Sequence, residues 1–355
     1  MKSRGRLLPS VNRLYEARLA LLELRALGAR NVAFDLVGHS FLFEADARTN
    51  RFIGFRTAWL ADVDGVETFV SRLKKTCEKV VWKHSDLWGP HLAYPYKARM
   101  RPQVARSLLN IACPKPRGLV LDPFCGSGTT NVEAALLGLD SVGVDIVPWY
   151  AFMAHAKMAF FNRPLDDPEH PLRLVVVESA RISEKINWRK RLEELKTLQE
   201  GIRPLLGEVP PTKHRFLVGT ATKLPFPDGH FDAVVTSPPY GPAIDYPEMN
   251  PGPPELMRLP EGLEGEFMAT DDIPKWKKLM GEAISEMVRV LKAGGRLAMV
   301  LGNVKKGGRI VDLVGWAKEE TAGHGMRLLL DVEQALIAGN IFHILFDRVL
   351  VWEKM

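Results

Sequence analysis

The sequence predicts an α/β protein: a mostly parallel sheet of the nucleotide-binding type, preceded by a small α+β domain. Three observations carry that reading. Beyond residue 118, short apolar segments alternate with longer stretches of helical period, the alternation that builds a parallel sheet. A glycine-rich turn joins the first of these strands to its helix. The last two apolar segments, 328–336 and 342–353, are placed to pair as an antiparallel hairpin, an unusual ending for such a sheet.

In chain order, Leu14, Ala17, Leu21 and Leu24 recur at helical spacing, and Gly28 follows as a stop. Segments 32–36, 40–44 and 51–57 read as short strands. Residues 66–80 return to helical character, with Lys74, Lys75 and Lys79 on the polar side. Together these make an α+β domain over residues 1–82. Residues 82–100 are rich in aromatics, His and Pro, which fits a packed linker leading into a site. The second domain, 83–355, starts with a helix over 102–112. Strand 118–122, helix 129–137, strand 141–145 and helix 149–160 then form two βα units, and further strands follow at 216–218, 233–237 and 296–301. Two insertions interrupt it. Residues 164–214 are charged and broken by Pro204, Pro210 and Pro211, with a helix over 188–199. Residues 242–274 are rich in Pro, Gly and Glu, and a long loop after a strand end serves as an active-site cover more often than as a linker.

Composition narrows the class. A chain of 355 residues with 46% hydrophobic and 25% charged residues is an ordinary globular sequence, not a disordered one. Its apolar runs fall well short of the ~18 residues of a membrane span, and no basic-then-apolar leader opens it, so a cytoplasmic location is expected. The three cysteines, Cys77, Cys113 and Cys125, have no CxxC or Cys/His spacing, which argues against disulfides and against a metal site. A formal charge of +6 permits a polyanionic partner without demonstrating one. Glutamine occurs only at 103, 199 and 334, a depletion suited to a heat-adapted source.

Two turns carry the chemistry. In Asp122-Pro123-Phe124-Cys125-Gly126-Ser127-Gly128-Thr129-Thr130, the glycines let backbone approach a ligand closely, and the helix starting near Thr129 offers unpaired N–H groups. The final glycine of a dinucleotide fingerprint and the lysine of a P-loop are both missing, which disfavours a pyrophosphate. An acid at the strand end instead matches an ammonium group, such as the methionine part of S-adenosylmethionine. The next strand ends in Asp145, where a carboxylate can accept ribose hydroxyls, so the two turns together describe an adenosyl ligand. The second motif is Thr236-Ser237-Pro238-Pro239-Tyr240-Gly241. Its prolines stiffen the turn and leave Pro238 a carbonyl that can only accept, so Ser237 and Pro238 suit an amino group and Tyr240 suits the face of a heterocycle.

With both motifs in view, the chain resembles the S-adenosylmethionine-dependent nucleic-acid amino-methyltransferases over roughly residues 85–355. The resemblance implies a class I, Rossmann-like sheet of seven strands with the last reversed. It implies that Asp122, Pro123, Phe124, Gly126, Ser127, Gly128 and Thr129 hold the cofactor's methionine end, and that Asp145 and Ile146 hold its ribose side. Ser237, Pro238, Pro239 and Tyr240 then hold the target base. The segment before the first motif resembles the family's additional cofactor-contacting stretch, which adds Arg99 and Pro102. One departure stands out: where related enzymes carry Gly-Asp-Ala, with the Asp on the adenine amine, this chain has Gly219-Thr220-Ala221, leaving the Ala221 backbone amide.

Thr236-Ser237 and the continuation through Asp245 and Tyr246 are similar to the cytosine 4-amino type, which is the favoured target. Residues 106–112 and the cofactor turn resemble the transfer-RNA guanine 2-amino enzymes, the runner-up. The motifs also admit a DNA cytosine or adenine target, or a catalytically silent RNA-binding assembly factor. The insertions look small for reading DNA sequence, so RNA is favoured over DNA, and ribosomal RNA over transfer RNA. Lys2, Arg4, Arg6, Arg13, Arg18, Lys74 and Lys75 are candidate RNA contacts. Cys125 reads as packing, because no Pro-Cys dipeptide supports covalent attack, and Trp88, His91, Tyr94 and Tyr96 read as a core seam. The implied mechanism is direct in-line methyl transfer without metal, with positioning supplying most of the rate.

Overall fold

A computed structural model of the chain describes residues 1–80, 87–181, 187–241, 245–266, 270, 272–334 and 344–355. Its first strand, β1 (Lys2–Leu7), alternates exposed Lys2, Arg4 and Arg6 with buried Ser3, Gly5 and Leu7, the period of a strand solvated on one face. Helix α1 (Leu14–Ala26) ends at Gly28, whose φ of +99° only glycine adopts freely. Strands β2 (Arg30–Asp35) and β3 (Ser40–Glu44), helix α2 (Ala47–Arg56), strands β4 (Leu60–Val63) and β5 (Val66–Glu67), and helix α3 (Phe69–Val80) follow. The strands form an antiparallel sheet in the order β2-β3-β1-β4-β5.

Two expectations fail in this unit. Residues 51–57, read as a strand, lie largely in α2. Asp46 caps that helix by accepting the Thr49 N–H at 2.7 Å, and Ile53 and Arg56, three apart, are its buried positions. Lys74 is not on a polar face: it is buried, with Nζ donating to Ser10 Oγ at 3.0 Å and lying 5.9 Å from the Trp88 ring centre.

A short 3₁₀ turn, Gly89–Ala93, leads to α4 (Pro102–Ala112). Then come β6 (Leu119–Asp122), α5 (Thr129–Leu136), β7 (Asp140–Asp145), α6 (Pro148–Asn162), α7 (Pro171–Glu178), α8 (Trp188–Leu206), β8 (His214–Val218) and β9 (Phe231–Thr236). After the one-turn helices α9 (Tyr246–Met249) and α10 (Pro254–Met257), the chain continues through α11 (Ile273–Val290), β10 (Leu291–Lys306), β11 (Arg309–Val311), α12 (Leu313–Gly323), β12 (Met326–Gln334) and β13 (Ile344–Lys354). The main path of the sheet runs β12-β13-β10-β9-β6-β7-β8, with β11 folded back on the end of β10. Strands β6 to β10 pair in parallel, whereas β13 lies antiparallel between β10 and β12. The closing hairpin is therefore present, with residues 335–343 outside the described residues. Helix α8 runs past residue 199 and through Pro204, because its buried stripe of Leu192, Leu195, Leu198 and Gln199 continues to Ile202. Pro204 falls in its last turn, where little of the helix remains to be broken.

The N-terminal unit does not pack as a separate body. Leu19, Leu24 and Trp59 share one buried cluster with Leu108, Val132 and Trp149 of the α4–α6 layer. Helices α11 and α12 cover the opposite sheet face through Trp276, Met280, Ile284 and Leu313. A buried polar seam fastens the two units. Glu23 accepts from Asn110 Nδ2 at 2.7 Å and from Thr57 Oγ1 at 2.9 Å, and Arg56 donates to Asn110 Oδ1 at 2.7 Å and to the Cys113 carbonyl at 2.9 Å. Arg106 donates to the carbonyls of Phe55 and Arg56, both at 2.9 Å, and pairs with Glu133 at 3.3 Å. Burial pushes Glu23 up to about 7 and Arg56 down to about 10. Since Glu133 lies on α5, the seam reaches the helix that opens at the glycine turn.

Candidate active site

The parallel strands end at one edge of the sheet, where loops after β6, β7, β8 and β9 surround a cleft open to solvent. In open α/β sheets, ligands bind at this carboxyl edge. The turn after β6 places Gly126 at φ +48° and Gly128 at φ +76°. A Cβ on Gly128 would come within 2.8 Å of the Ala154 Cα, so the turn packs against α6 only with glycine there.

Both strand-end acids brace the turns. Asp122 accepts the Thr236 hydroxyl at 2.6 Å and the Phe124 N–H at 3.2 Å; burial pushes its carboxyl up to about 6 against those hydrogen bonds. Asp145 accepts the Gly126 N–H at 2.8 Å through one oxygen and the Val147 N–H at 3.0 Å through the other, and burial raises it to about 7. Both bonds to Asp122 end on Oδ1, which leaves Oδ2 to meet a ligand donor, whereas each Asp145 oxygen takes one bond and retains a second lone pair. Arg99 reaches the cleft from the segment before α4. Its guanidinium donates to the His91 carbonyl at 2.9 Å, and it has no carboxylate partner among the described residues. Burial lowers it to about 10, so it stays cationic near neutrality. Ser127 Oγ also lines the cleft and is a buried polar atom without an intramolecular partner among the described residues.

At the end of β9, the Ser237 hydroxyl lies 3.4 Å from the Tyr240 hydroxyl. Trp276, fully buried, donates its indole N–H to the Pro239 carbonyl at 2.9 Å, which fixes the turn and leaves the Pro238 carbonyl as the other acceptor. Gly241 at φ +56° closes the turn against the same indole.

Of the residues expected at the site, Asp122, Pro123, Phe124, Gly126, Ser127, Thr129, Asp145, Ile146 and Ala221 line the cleft, as do Arg99, Ser237 and Pro239. Four do not. Pro102 is buried as the first residue of α4, where a missing N–H is harmless. Gly128 is the left-handed residue behind the turn. Pro238 sits in the turn without contributing to the wall. Tyr240 is 7% exposed and shares a buried cluster with Trp276, Met299 and Leu301, its hydroxyl between Ser237 and the Asp347 carboxyl. Tyr96, Ala98, Tyr150, Tyr246 and Glu266 also line the cleft; Tyr96 and Ala98 lie in the stretch that resembles the additional cofactor-contacting segment and Tyr246 in the continuation of the second motif, whereas no motif marks Tyr150 or Glu266. Tyr96, expected in a core seam, is buried edge-on to Tyr150, 5.4 Å between ring centres, and faces the cleft as well. Tyr246 belongs to the 242–274 insertion, of which 242–244, 267–269 and 271 lie outside the described residues. That insertion is docked as a cover: Asn250 accepts the Lys97 N–H at 2.7 Å and the Pro251 carbonyl accepts the Tyr94 hydroxyl at 2.6 Å.

A buried acid, a buried cation, a glycine turn and a second acid are the complement of an amino-acid zwitterion joined to a nucleoside. Residues 93–201 match the RMKL-like methyltransferase domain. The chain has the class I S-adenosylmethionine-dependent methyltransferase fold, a Rossmann-like sheet with a reversed last strand and a separate antiparallel sheet at the N-terminus. S-adenosylmethionine is the cofactor of that class, and the residues lining the cleft fit it.

Two of the three relatives that follow are named as transfer-RNA methyltransferases. The transfer-RNA (guanine(10)-N2)-dimethyltransferase of Methanocaldococcus jannaschii is 45% identical over 58 residues, 16% of this chain and 16% of its own. The type II methyltransferase M.MjaII of the same organism is 35% identical over 76 residues, 20% of this chain and 13% of its own. The transfer-RNA (guanine(6)-N2)-methyltransferase of Archaeoglobus fulgidus is 29% identical over 158 residues, 44% of this chain and 34% of its own. This chain thus covers no more than about a third of the length of these relatives.

Proposed function

We propose that the protein transfers a methyl group from S-adenosylmethionine to the 2-amino group of a guanine in transfer RNA. The observation that carries the reading is that the glycine turn after β6 and Ser237 and Pro239 of the turn after β9 line one cleft, in a chain with a segment 45% identical over 58 residues to a transfer-RNA (guanine(10)-N2)-dimethyltransferase. The expectation of a cytosine target rests in part on Thr236, but that hydroxyl is spent inside the sheet on Asp122 and does not line the cleft. Its residue type therefore carries little information about the base.

In this reading Asp122 takes the cofactor's ammonium, Arg99 its carboxylate, Asp145 and Ile146 the ribose side, and the cofactor supplies an electrophilic methyl sulfonium. The Ser237 oxygen and the Pro238 carbonyl accept the two hydrogens of the target amine, which draws its lone pair out of ring conjugation. Tyr240 props the Ser237 hydroxyl, and Trp276 holds the proline turn rigid, so the acceptors need no reorganisation as charge develops. The amine's surplus proton becomes acidic on methylation and leaves without a dedicated base. Cys125, buried, with its thiol pushed well above the ordinary range by desolvation, is unsuited to nucleophilic attack.

An RNA partner is supported less by the N-terminal unit than by the far end of β10. Of the N-terminal candidates, Arg4, Arg6, Arg13 and Lys75 each face a carboxylate, of Asp35, Asp62, Glu16 and Glu67 respectively, and Lys74 is buried, which leaves Lys2 and Arg18 exposed without a carboxylate partner among the described residues. Lys305 and Arg309, by contrast, are exposed on the β10–β11 hairpin, which extends beyond Met299, the residue level with the last residue of β9. The test is methyl transfer from labelled cofactor to unmodified transfer RNA and ribosomal RNA, followed by nucleoside mass spectrometry. Label in N2-methylguanosine from transfer RNA is expected. Label in 4-methylcytidine, or in a DNA control alone, would replace the reading.

A further inference from the structure

We infer that Glu266 accepts the 6-amino group of the cofactor's adenine, and that this contact ties the covering segment 245–266 to cofactor occupancy. The inference rests on reading the cleft as the S-adenosylmethionine site, but not on which nucleic acid is methylated.

The Watson–Crick edge of adenine presents an acceptor, N1, beside a donor, the 6-amino group. A site that selects it needs a donor and an acceptor side by side. The end of β8 supplies only half of this pair. Gly219, Thr220 and Ala221 line the cleft near Ile146, and the Ala221 N–H has no intramolecular acceptor among the described residues. No acid follows β8 in sequence: Gly219-Thr220-Ala221-Thr222 offers hydroxyls, and these are engaged with one another, Thr220 Oγ1 to Thr222 Oγ1 at 2.8 Å.

The acid comes from elsewhere. Three carboxylates line the cleft among the described residues, and two of them, Asp122 and Asp145, hold the turns after β6 and β7. The third is Glu266, forty-five positions beyond Ala221. The Thr222 hydroxyl donates to its Oε2 at 2.5 Å, which aims the carboxylate at the β8 end, while Oε1 receives no hydrogen bond from the described residues. One oxygen is thus positioned by Thr222 and the other is available to a donor beside the Ala221 N–H. The chemical class that fits is a 6-aminopurine.

The location of Glu266 gives the contact a second consequence. The segment carrying it is pinned at Asn250 and Pro251 by Lys97 and Tyr94, and its start, Tyr246, lines the same cleft as Ser237. An adenine held by Glu266 fastens the far end of the cover, so the wall beside the target amine is completed only when cofactor is present. Glu266 is in this sense a positioning residue for the base pocket as well as a cofactor contact.

Calorimetry with S-adenosylhomocysteine and S-inosylhomocysteine tests the assignment without turnover. The inosyl ligand carries a 6-oxo group and an N1–H, which would face the carboxylate and the N–H like against like. The wild-type protein is expected to prefer the adenosyl ligand by about tenfold or more. Glu266→Gln, whose amide can turn its NH₂ to the 6-oxo group, is expected to shrink that preference, and Glu266→Ala to weaken adenosyl binding by a similar factor. Hydrogen exchange over 245–266 should slow with S-adenosylhomocysteine in the wild type and not in Glu266→Ala. A preference unchanged in both variants overturns the Glu266 contact while leaving the cofactor site standing; wild-type protein that binds neither ligand overturns the cofactor reading and this inference with it.

Discussion

Thr236 donates its hydroxyl to Asp122 at 2.6 Å, joining the last residue of β9 to the last residue of β6. The bond couples the two motifs: the acid that faces the cofactor and the turn that faces the target amine are held in register by a buried side chain that touches neither ligand. Thr236→Val should cost about 1 kcal/mol of stability and weaken cofactor binding, because Asp122 loses a hydrogen bond that opposes its burial-raised pKa. The base that is methylated should not change. Thermal denaturation, calorimetry and nucleoside analysis check the three parts separately; a changed product would return Thr236 to the role its sequence position implies.

Cofactor affinity should depend on pH through Asp122. Its carboxyl titrates at about 6, raised by burial, and only the ionised form pairs with an ammonium group. Affinity for S-adenosylhomocysteine is therefore expected to fall as pH drops through about 6, with proton release on binding below that value, and Asp145 at about 7 extends the slope upward. Asp122→Asn should bind weakly at every pH and lose the lower part of the dependence. Calorimetry in buffers of different ionisation enthalpy measures the released protons directly.

Arg99 is expected to read the carboxylate of the cofactor's amino-acid end. Arg99→Met should lower affinity for S-adenosylhomocysteine at least about tenfold, and Arg99→Lys should recover part of it, since a lysine restores charge without the guanidinium fork. Affinity for 5′-methylthioadenosine, which lacks the amino-acid end, should stay unchanged in both. An equal loss for both ligands would mean that Arg99 only shapes the segment through its bond to the His91 carbonyl.

The Glu133 cluster is joined to the N-terminal unit through Arg106, which also donates to the Phe55 and Arg56 carbonyls. Trp88 donates to Glu133 at 2.8 Å, His91 lies 3.0 Å from the same oxygen, and Arg106 pairs with the other at 3.3 Å, all of them buried. Burial holds His91 down at about 4, so at neutral pH its ring is uncharged and Arg106 is the cation of the group. Glu133→Ala should destabilise by about 3–5 kcal/mol, because it leaves a buried guanidinium without its counter-ion. Calorimetry of the wild type should show one unfolding transition; two separate transitions would contradict the shared core.

What the sequence disclosed and what it hid follow from how local each signal is. The strand-turn-helix of 119–136 and the rigid turn at 237–240 are legible because glycine and proline act on their own backbone. Residues 51–57 mislead because Phe52, Ile53 and Phe55 satisfy a strand pattern as readily as a helix face, and the capping Asp46 lies upstream of the apolar run. Glu266 is invisible for another reason: its meaning depends on Thr222, and nothing local to an acid in a Glu-rich loop says that it folds back over β8. Tyr240 fails in the opposite direction, since the motif shows a tyrosine beside a base pocket but not that β10 and α11 bury its ring.

The same distinction decides where RNA should be gripped. Counting basic residues favours the N-terminal unit, but a paired arginine releases few counterions when a phosphate arrives, because its charge is already compensated. Lys305 and Arg309 lie on the hairpin beyond the end of β9, on the side of the sheet edge where Ser237 waits. Lys305→Ala with Arg309→Ala should weaken binding of transfer RNA and flatten the slope of log affinity against log salt by about 1.5–2, near the loss of two phosphate contacts. Arg4→Ala with Arg6→Ala should change that slope little, and neither pair should alter affinity for S-adenosylhomocysteine. If the N-terminal pair flattens the slope and the hairpin pair does not, the RNA runs over the antiparallel sheet, and the carboxylates of Asp35 and Asp62 must give up their arginines to let it bind.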